Sequence, residues 1–147
     1  MSQRQIVAGN NFLAFIPAGT AVPAAGTTTG PSPIPSGLGQ SKYLIVEAQM
    51  VYTSGGTTAD VYIQTSLDQG ASWTDIMNFH FLTANQKWVQ SVNLQTALVA
   101  VATYTVQDGA LGAGTAATGV LGDRFRYKLV VVGAYVATLS VTGWVKG

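Results

Sequence analysis

Short runs in which apolar and polar residues alternate constrain this chain more than any other feature of its sequence. In the clearest run, residues 43–53, every second position is apolar or aromatic: Leu44, Val46, Ala48, Met50 and Tyr52. A period of two residues is that of a β-strand with one buried face, because successive side chains of a strand point to opposite sides. We expect this set to face a core, with Glu47 and Gln49 facing water or a neighbour.

The same alternation recurs along most of the chain. It predicts strands at residues 12–16, 43–53, 59–65, 73–81, 87–94, 125–132 and 135–145. The first run is expected to stop at Pro17 and Gly19, and the odd-numbered positions of 73–81 are expected to share one side. Residues 95–105 come closest to a helical pattern but fit a strand equally well. Short strands at this spacing predict an all-β fold, an antiparallel β-sandwich with jelly-roll character.

Two segments interrupt this rhythm. Residues 18–40 hold four of the five prolines together with many Gly, Ala, Ser and Thr, and residues 106–122 are rich in Gly, Ala and Thr. Neither composition can bury a core of its own. We interpret both as extended arms that lie on a partner, the alternative being flexible surface loops. The predicted organisation is an N-terminal segment with a Pro/Gly-rich arm, residues 1–40, followed by one sandwich domain, residues 41–147.

The scarcity of ionisable side chains limits the function. Only 9% of the 147 residues are charged, there is no Cys, and there is one His, whereas an average domain has about 25% charged residues. So few groups for acid–base, metal or phosphate chemistry predict a protein that is not an enzyme and needs no cofactor or metal. Hydrophobic residues make up 48% of the chain, which favours a protein that buries surface against other protein.

The remaining composition argues against two kinds of partner. A net charge of +1 predicts no nucleic-acid binding, since a protein grips phosphates with several Lys or Arg on one face. We expect no membrane contact, because the N-terminus shows no signal-peptide pattern and no apolar run approaches the roughly 20 residues of a membrane helix. The absence of Cys fits folding in a reducing cytoplasm.

The residues that could carry chemistry are few and isolated. His80 has no Cys, Glu or second His nearby in the sequence, which favours a structural histidine over a catalytic base. Asp68 and Asp75 could form the carboxylate pair of a glycosidase, which is the less favoured alternative. Residues 109–122 lack the Lys-Ser/Thr pair of a phosphate-binding loop.

Residues 66–73, SLDQGASW, resemble the Asp-box, Ser-x-Asp-x-Gly-x-x-Trp. In the sialidase-type propellers, carbohydrate-binding sandwiches and virion proteins that carry it, this motif is a hairpin turn and not a catalytic element. Here it predicts a structural turn built on Ser66, Asp68, Gly70 and Trp73. Asp68 can accept backbone N–H groups, Gly70 can adopt a positive φ, and Trp73 can cap the core. A propeller needs repeats of the motif, and the chain has one copy.

Charged and aromatic side chains supply the candidate interface. Arg124, Arg126 and Lys128 alternate and so share one side of a strand, either as a solvated face or in contact with a partner. Interfaces are enriched in aromatic residues and depleted in charge, although Trp88 or Trp144 could instead form a platform for a glycan. The interface residues that we predict are Phe12, Phe15, Pro31, Pro33, Pro35, Trp88, Arg124, Arg126 and Trp144.

Residues 43–81 and the C-terminal stretch LGDRFRYKLVVVGAYVATLSVTGWVKG carry a family resemblance. With its Asp-box-like hairpin and its LGDR-x-R segment at residues 121–126, the chain resembles small virion structural proteins of tailed bacteriophages over residues 41–147. The resemblance implies a β-sandwich or jelly-roll component that decorates or cements the capsid. We expect a homotrimer in the virion, made in the host cytoplasm, whose partner is the major capsid protein. A tail or neck component, a carbohydrate-binding module and, more remotely, a glycan hydrolase fragment remain open.

Overall fold

A computed structural model describes residues 12–93 and 105–147, so the predictions for residues 1–11 and 94–104 lie outside the described part of the chain. The eight strands are β1 (Phe12–Ala21), β2 (Gly26–Gly30), β3 (Tyr43–Gly55), β4 (Thr58–Ser66), β5 (Thr74–Phe81), β6 (Gln86–Asn93), β7 (Arg124–Val132) and β8 (Tyr135–Lys146). Within these two ranges the chain forms no helix, and so none that is long and apolar enough to cross a membrane.

The strands form two four-stranded antiparallel sheets. The first sheet has the order β1-β8-β3-β6, and the second sheet has the order β2-β7-β4-β5. Side chains from both sheets pack into one hydrophobic core, whose largest fully buried members include Phe15, Phe79, Phe81, Phe125, Leu44 and Met50. The prediction of an all-β, antiparallel β-sandwich is confirmed.

The alternation in the sequence decides which side chains enter this core. In β3, every second side chain from Leu44 to Met50 is fully buried, whereas Glu47 and Gln49 between them are exposed. In β4, Val61 and Ile63 belong to the core. The alternation of apolar and polar residues therefore predicts which face of each strand is buried.

Four of the pairings join strands that are placed symmetrically about the middle of the chain: β1 with β8, β2 with β7, β3 with β6, and β4 with β5. This nested pairing is that of one long antiparallel hairpin, in which β1 to β4 form one half and β5 to β8 form the other. The pairings of β3 with β8 and of β4 with β7 join the two halves of the hairpin a second time. They roll the hairpin into two sheets.

β5 departs from the predicted alternation at one point. Ile63 is paired with Met77, but the next residue of β4, Gln64, is paired with Asp75, so that β5 contains an extra residue, Ile76. Met77 consequently faces the core and Asp75 lies on the outer side. The prediction that these two residues share one side was wrong, because a β-bulge breaks the period of two.

The structure does not divide the chain at residue 40. β1 continues past Pro17 to Ala21, and β2 lies within the segment that was predicted to be an arm. Pro17 is tolerated because β1 is an edge strand of its sheet, where a missing N–H need not break a ladder. Residues 12–30 are therefore part of the sandwich, which corrects the predicted boundary and the predicted arm.

Candidate functional site

The turn between β4 and β5 is held by side-chain hydrogen bonds. The Asp68 carboxylate accepts bonds from the Ser72 hydroxyl at 2.6 Å, the Ser72 N–H at 2.8 Å and the Ser66 hydroxyl at 2.9 Å. The Ser66 oxygen accepts a bond from the Gly70 N–H at 2.7 Å, and Gly70 has a φ of 96°, a value that favours glycine. The bonds from Ser72 first, and then from Ser66, lower the pKa of Asp68 to about 2.

Trp73 ends this turn but does not cap the core as predicted. Its side chain is buried, yet it lies outside the hydrophobic cluster between the sheets. The guanidinium carbon of Arg126 lies 4.6 Å from the centroid of the Trp73 ring. Arg126 belongs to β7, so this cation–π contact fastens the turn to the outer face of the second sheet.

The outer face of the second sheet is covered by the Gly-rich segment that precedes β7. Its attachment point is Asp75 of β5, a fully buried side chain. The Asp75 carboxylate accepts hydrogen bonds of 2.8 to 3.0 Å from the backbone N–H groups of Gly109, Ala110 and Leu111. The Asp75 N–H donates to the Gln107 carbonyl at 2.8 Å. A buried carboxylate requires donors of this kind, because burial without partners is costly.

Gln64 of β4, which is also fully buried, links this carboxylate to the charged side chains around it. Its Nε2 donates to Asp75 at 2.8 Å and to Asp108 at 2.7 Å, and its Oε1 accepts a bond from Arg126 Nε at 2.6 Å. The Lys128 ammonium lies 2.9 Å from the Asp108 carboxylate. We call these five side chains the Gln64 network.

The guanidinium of Arg126 also lies 3.8 Å from the Asp108 carboxylate, so both charged partners of Asp108, Arg126 and Lys128, come from the basic strand predicted from the sequence. The hydrogen bond from Gln64, followed by that from Lys128, lowers the pKa of the Asp108 carboxyl. Arg124, the third basic residue of β7, lies against Gly70 of the turn. The three basic side chains do share one side of the strand, and the contacts described for them are within the chain.

The Gly-rich segment also follows the outer edge of β5. The Asn78 N–H donates to the Thr115 carbonyl at 2.9 Å, and the Asn78 side-chain oxygen accepts a bond from the Gly114 N–H at 2.9 Å. These bonds use groups that an edge strand would otherwise expose. The interpretation of residues 106–122 as an arm on a partner was therefore wrong. The segment lies on its own domain because Asp75 and Asn78 offer it acceptors.

The outer face of the first sheet is exposed. Among the described residues, three charged side chains belong to this face, Glu47, Lys87 and Lys146, and the first two form a pair at 3.6 Å. Five exposed large apolar side chains share it: Phe12, Val51, Val89, Val136 and Trp144. We call this surface the open face. Uncharged polar side chains such as Gln49, Ser140 and Thr142 lie between them, so this face is poor in charge, as interfaces are.

Phe12 and Trp144 lie together at one end of the open face. Cross-strand pairing sets Phe12 of β1 beside Trp144 of β8, and Trp144 beside Ile45 of β3. The two rings meet edge to face with centroids 4.9 Å apart, and Trp144 keeps 47% of its surface exposed. Aromatic side chains that are already held by neighbours bury area on a partner at low cost in entropy.

The other predicted interface residues are placed differently. Phe15 is only 2% exposed and belongs to the core, so the prediction was wrong for it. Phe15 shares the buried side of β1 with Leu13, as the alternation requires, and the register shift between Ala14 and Ile16 turns Ile16 inward as well. Trp88 is half-buried and stacked on the Phe81 ring, with centroids 5.2 Å apart.

The three predicted prolines lie in the connection between β2 and β3. Pro33 is exposed, and Pro31 and Pro35 are half-buried. The three exposed valines of the open face, Val51, Val89 and Val136, were not among the predicted interface residues. A signal for them exists, because each occupies an outward position of its strand, where the alternation calls for a polar residue.

The polar groups that could do chemistry are engaged with their own chain. The Asp68 and Asp75 carboxylates both hold hydrogen bonds from nearby backbone and side-chain donors, as described above. His80 Nδ1 lies 2.7 Å from the Asp60 carboxylate. Within residues 12–93 and 105–147, no group of three or more His, Asp or Glu side chains could hold a metal ion.

Comparison of the chain with protein families, with curated proteins and with solved structures finds no match. The open face is accordingly the candidate functional site on its geometry and composition alone.

Proposed function

We propose that this chain is a structural protein of a bacteriophage virion, which decorates the head shell and stabilises it by adhesive contacts with the major capsid protein. The observation that supports this proposal is the difference between the two outer faces of the sandwich. The Gly-rich segment and the Gln64 network cover one of them, and the open face presents Phe12 and Trp144 with little charge. Such a face is suited to burial against another protein.

Adhesion of this kind needs no reactive group at the contact. Apolar surface that leaves water contributes about 25 cal/mol per Å², and aromatic anchors such as Trp144 usually carry a large share of an interface's energy. A shell offers the same site many times. A modest contact that is repeated across capsomer boundaries can therefore resist internal pressure.

The nested strand pairing supports a jelly-roll topology, which we include in the proposal. Jelly rolls have eight strands in two sheets and occur in viral capsid proteins and in lectins. The topology is compatible with a virion role and with glycan binding, so the choice between them depends on the open face.

We further propose that the protein acts as a homotrimer in the virion, after synthesis in the host cytoplasm. Closed symmetry gives every copy the same contacts and hides sheet edges that would otherwise aggregate. A place in the tail or neck would use the same adhesive face, and the position of the copies in the particle distinguishes it from the head.

Glycan binding by the open face is the second candidate, and Trp144 is the observation that favours it. This indole is exposed, and the hydroxyl side chains of Thr142 and Ser140 follow it on the same face of β8. Trp88 suits this role less well, because its ring is stacked on Phe81. Binding to immobilised glycans that is lost in Trp144→Ala, with shell binding unchanged, would support this candidate over adhesion.

The test of the adhesive role uses phage particles that were assembled without this chain. Purified protein is mixed with these particles and sedimented, and the bound copies are located by cryo-electron microscopy. Wild-type protein should co-sediment and occupy regular positions on the head. Trp144→Glu should lower binding at least tenfold, because a charge would be buried at the contact.

The matched control is Leu67→Glu, which places the same charge on an exposed apolar residue in the turn between β4 and β5. It should bind as wild type does. Failure of the wild-type protein to bind, or equal loss in both variants, would contradict the adhesive role of the open face.

A further inference from the structure

The two sides of the sandwich differ in how their strand edges are treated. On one side, β5 and β6 are joined by the stacking of Trp88 on Phe81 and by a hydrogen bond of 2.6 Å from Gln90 Nε2 to the Asn78 carbonyl. On the other side, β1 is the last strand of the first sheet and β2 is the last strand of the second. No strand in the described part of the chain pairs with the outer edge of either.

The described segment that forms this second side carries no charge. The thirty residues from Phe12 to Ser41 contain no Asp, Glu, Lys, Arg or His, and they include both edge strands and the connections that follow them. Natural edge strands are usually protected by lysines, prolines or bulges. In β1, Pro17 and the shift between Ile16 and Thr20 lie in the second half of the strand, and one further shift lies between Ala14 and Ile16. The first half, Phe12–Ile16, contains neither lysine nor proline and is apolar and uncharged.

A cleft opens between these two strands. It has a free volume of 160 Å³ and is lined mainly by apolar groups from both sheets, among them Ile16, Pro23, Tyr127, Leu129 and Leu139. Apolar cavities of roughly 150 Å³ hold groups of about the size of benzene. The cleft can therefore receive one apolar side chain from a chain that approaches the β1–β2 side.

We propose that the β1–β2 side is a self-association surface, on which the β1 edge of one copy meets the β2 edge of the next copy and closes a ring. The occupant is a second copy of this chain, because the surface is uncharged. A charged partner would lose the hydration of its charges without gaining an opposite charge, whereas two copies bring only uncharged strands together.

The contact is assigned between unlike edges for a physical reason. Pairing of each edge with its own symmetry mate is an isologous contact that stops at two copies, whereas contact between β1 of one copy and β2 of the next can close a ring of three. Both free edges lie on the same side of the molecule, where they share the lining of one cleft. A head-to-tail ring buries both edges of every copy. This inference rests on the self-association part of the proposed function and is independent of the shell.

The test places a lysine on each edge in turn. Ala14→Lys modifies β1 and Thr29→Lys modifies β2, both at exposed positions. Ser91→Lys is the matched control, since Ser91 is exposed on β6, the other edge strand of the first sheet. The oligomeric state of each purified variant is measured by native mass spectrometry and light scattering. Wild type and Ser91→Lys should be trimeric, and each edge variant should dissociate at least tenfold more readily.

Mixing the two edge variants identifies the kind of contact. Ala14→Lys retains an intact β2 edge and Thr29→Lys retains an intact β1 edge, so the mixture should contain one-to-one dimers that do not grow. Loss of association in one edge variant alone, with the other unchanged, would show pairing between like edges and overturn the proposal. A monomeric wild type would also overturn it, and shell binding would then be judged separately by sedimentation.

Amide exchange in the wild-type protein covers the case in which an edge variant fails to fold. The amides of Phe12–Ile16 and of the β2 threonines should gain protection as the protein concentration rises and copies associate. Protection that is confined to β6, or that does not depend on concentration, would count against the β1–β2 side.

Discussion

Arg126 lies over the indole of Trp73, with its guanidinium carbon 4.6 Å from the ring centroid. Trp73 is the last residue of the Asp-box-like motif, and Arg126 is the last residue of the LGDR-x-R segment. The two short motifs that stood out in the sequence are therefore parts of one contact. It joins the turn after β4 to β7 on the covered side of the sandwich.

Arg126→Lys should lower stability by about 1 to 2 kcal/mol, because lysine keeps the charge but lacks the planar group that covers the ring and donates to Gln64. Urea unfolding followed by tryptophan fluorescence measures the change. Arg124→Lys is the control, with an expected loss below that of Arg126→Lys. Equal losses in the two variants would show that the contact with Trp73 has no special weight.

Asp75→Ala should lower stability by about 3 kcal/mol, since it removes a buried acceptor and leaves the N–H groups of Gly109, Ala110 and Leu111 without it. Hydrogen exchange at these three amides should rise more than at amides of β3. Asp123→Ala, which alters a partly exposed carboxylate, should have little effect. If the three amides keep their protection, Asp75 is not what holds the Gly-rich segment.

The Asp108 carboxyl should make the free energy of unfolding depend on pH in the acidic range. Its pKa is lowered in the folded protein, first by the hydrogen bond from Gln64 and then by that from Lys128. A carboxyl with a lowered pKa adds stability at pH values above its unfolded pKa, near 4, and this contribution is lost as the pH falls through the folded pKa. Asp108→Asn should therefore be less stable than wild type at pH 7, and the difference should shrink below pH 4.

The measurement for Asp108 is the urea midpoint at a series of pH values. Glu47→Gln is the control, because the Glu47–Lys87 pair is exposed on both sides and surface pairs contribute little. Its difference from wild type should be small throughout the series. A difference between Asp108→Asn and wild type that stays constant down to the lowest pH would rule out this linkage.

Gly122→Ala should lower stability by more than about 3 kcal/mol, because a β-carbon at this position would collide with the Ser66 carbonyl oxygen, a backbone atom that cannot move aside. Gly112→Ala, whose β-carbon would meet only ordinary contacts with Thr115, should change stability by less than about 0.5 kcal/mol. Thermal unfolding of the two variants beside wild type gives the comparison. Similar melting temperatures for both would contradict the assigned clash.

The alternation of apolar and polar residues predicted much of the fold. In β3 it separated the buried Leu44 and Met50 from the exposed Glu47 and Gln49, and in β8 it placed Trp144 outside the core. It failed at Ile16 and at Asp75, where shifts in strand register turn a side chain the other way. A bulge is fixed by how two strands meet, so one strand's own residues do not reveal it.

The sequence by itself determined that this chain folds into an antiparallel sandwich, since a period of two residues defines an inner and an outer side for every strand. Only the tertiary structure decided which outer side stays open. The Gly-rich segment before β7 has no alternation of apolar and polar side chains from which its position could be predicted. Its backbone N–H groups are bound by Asp75, which lies more than thirty residues earlier in the chain. Contacts between distant segments cover the outer face of the second sheet and leave Phe12 and Trp144 exposed on the first. Local periodicity could not show this, because it gives the direction of a side chain but not which other segment packs against it.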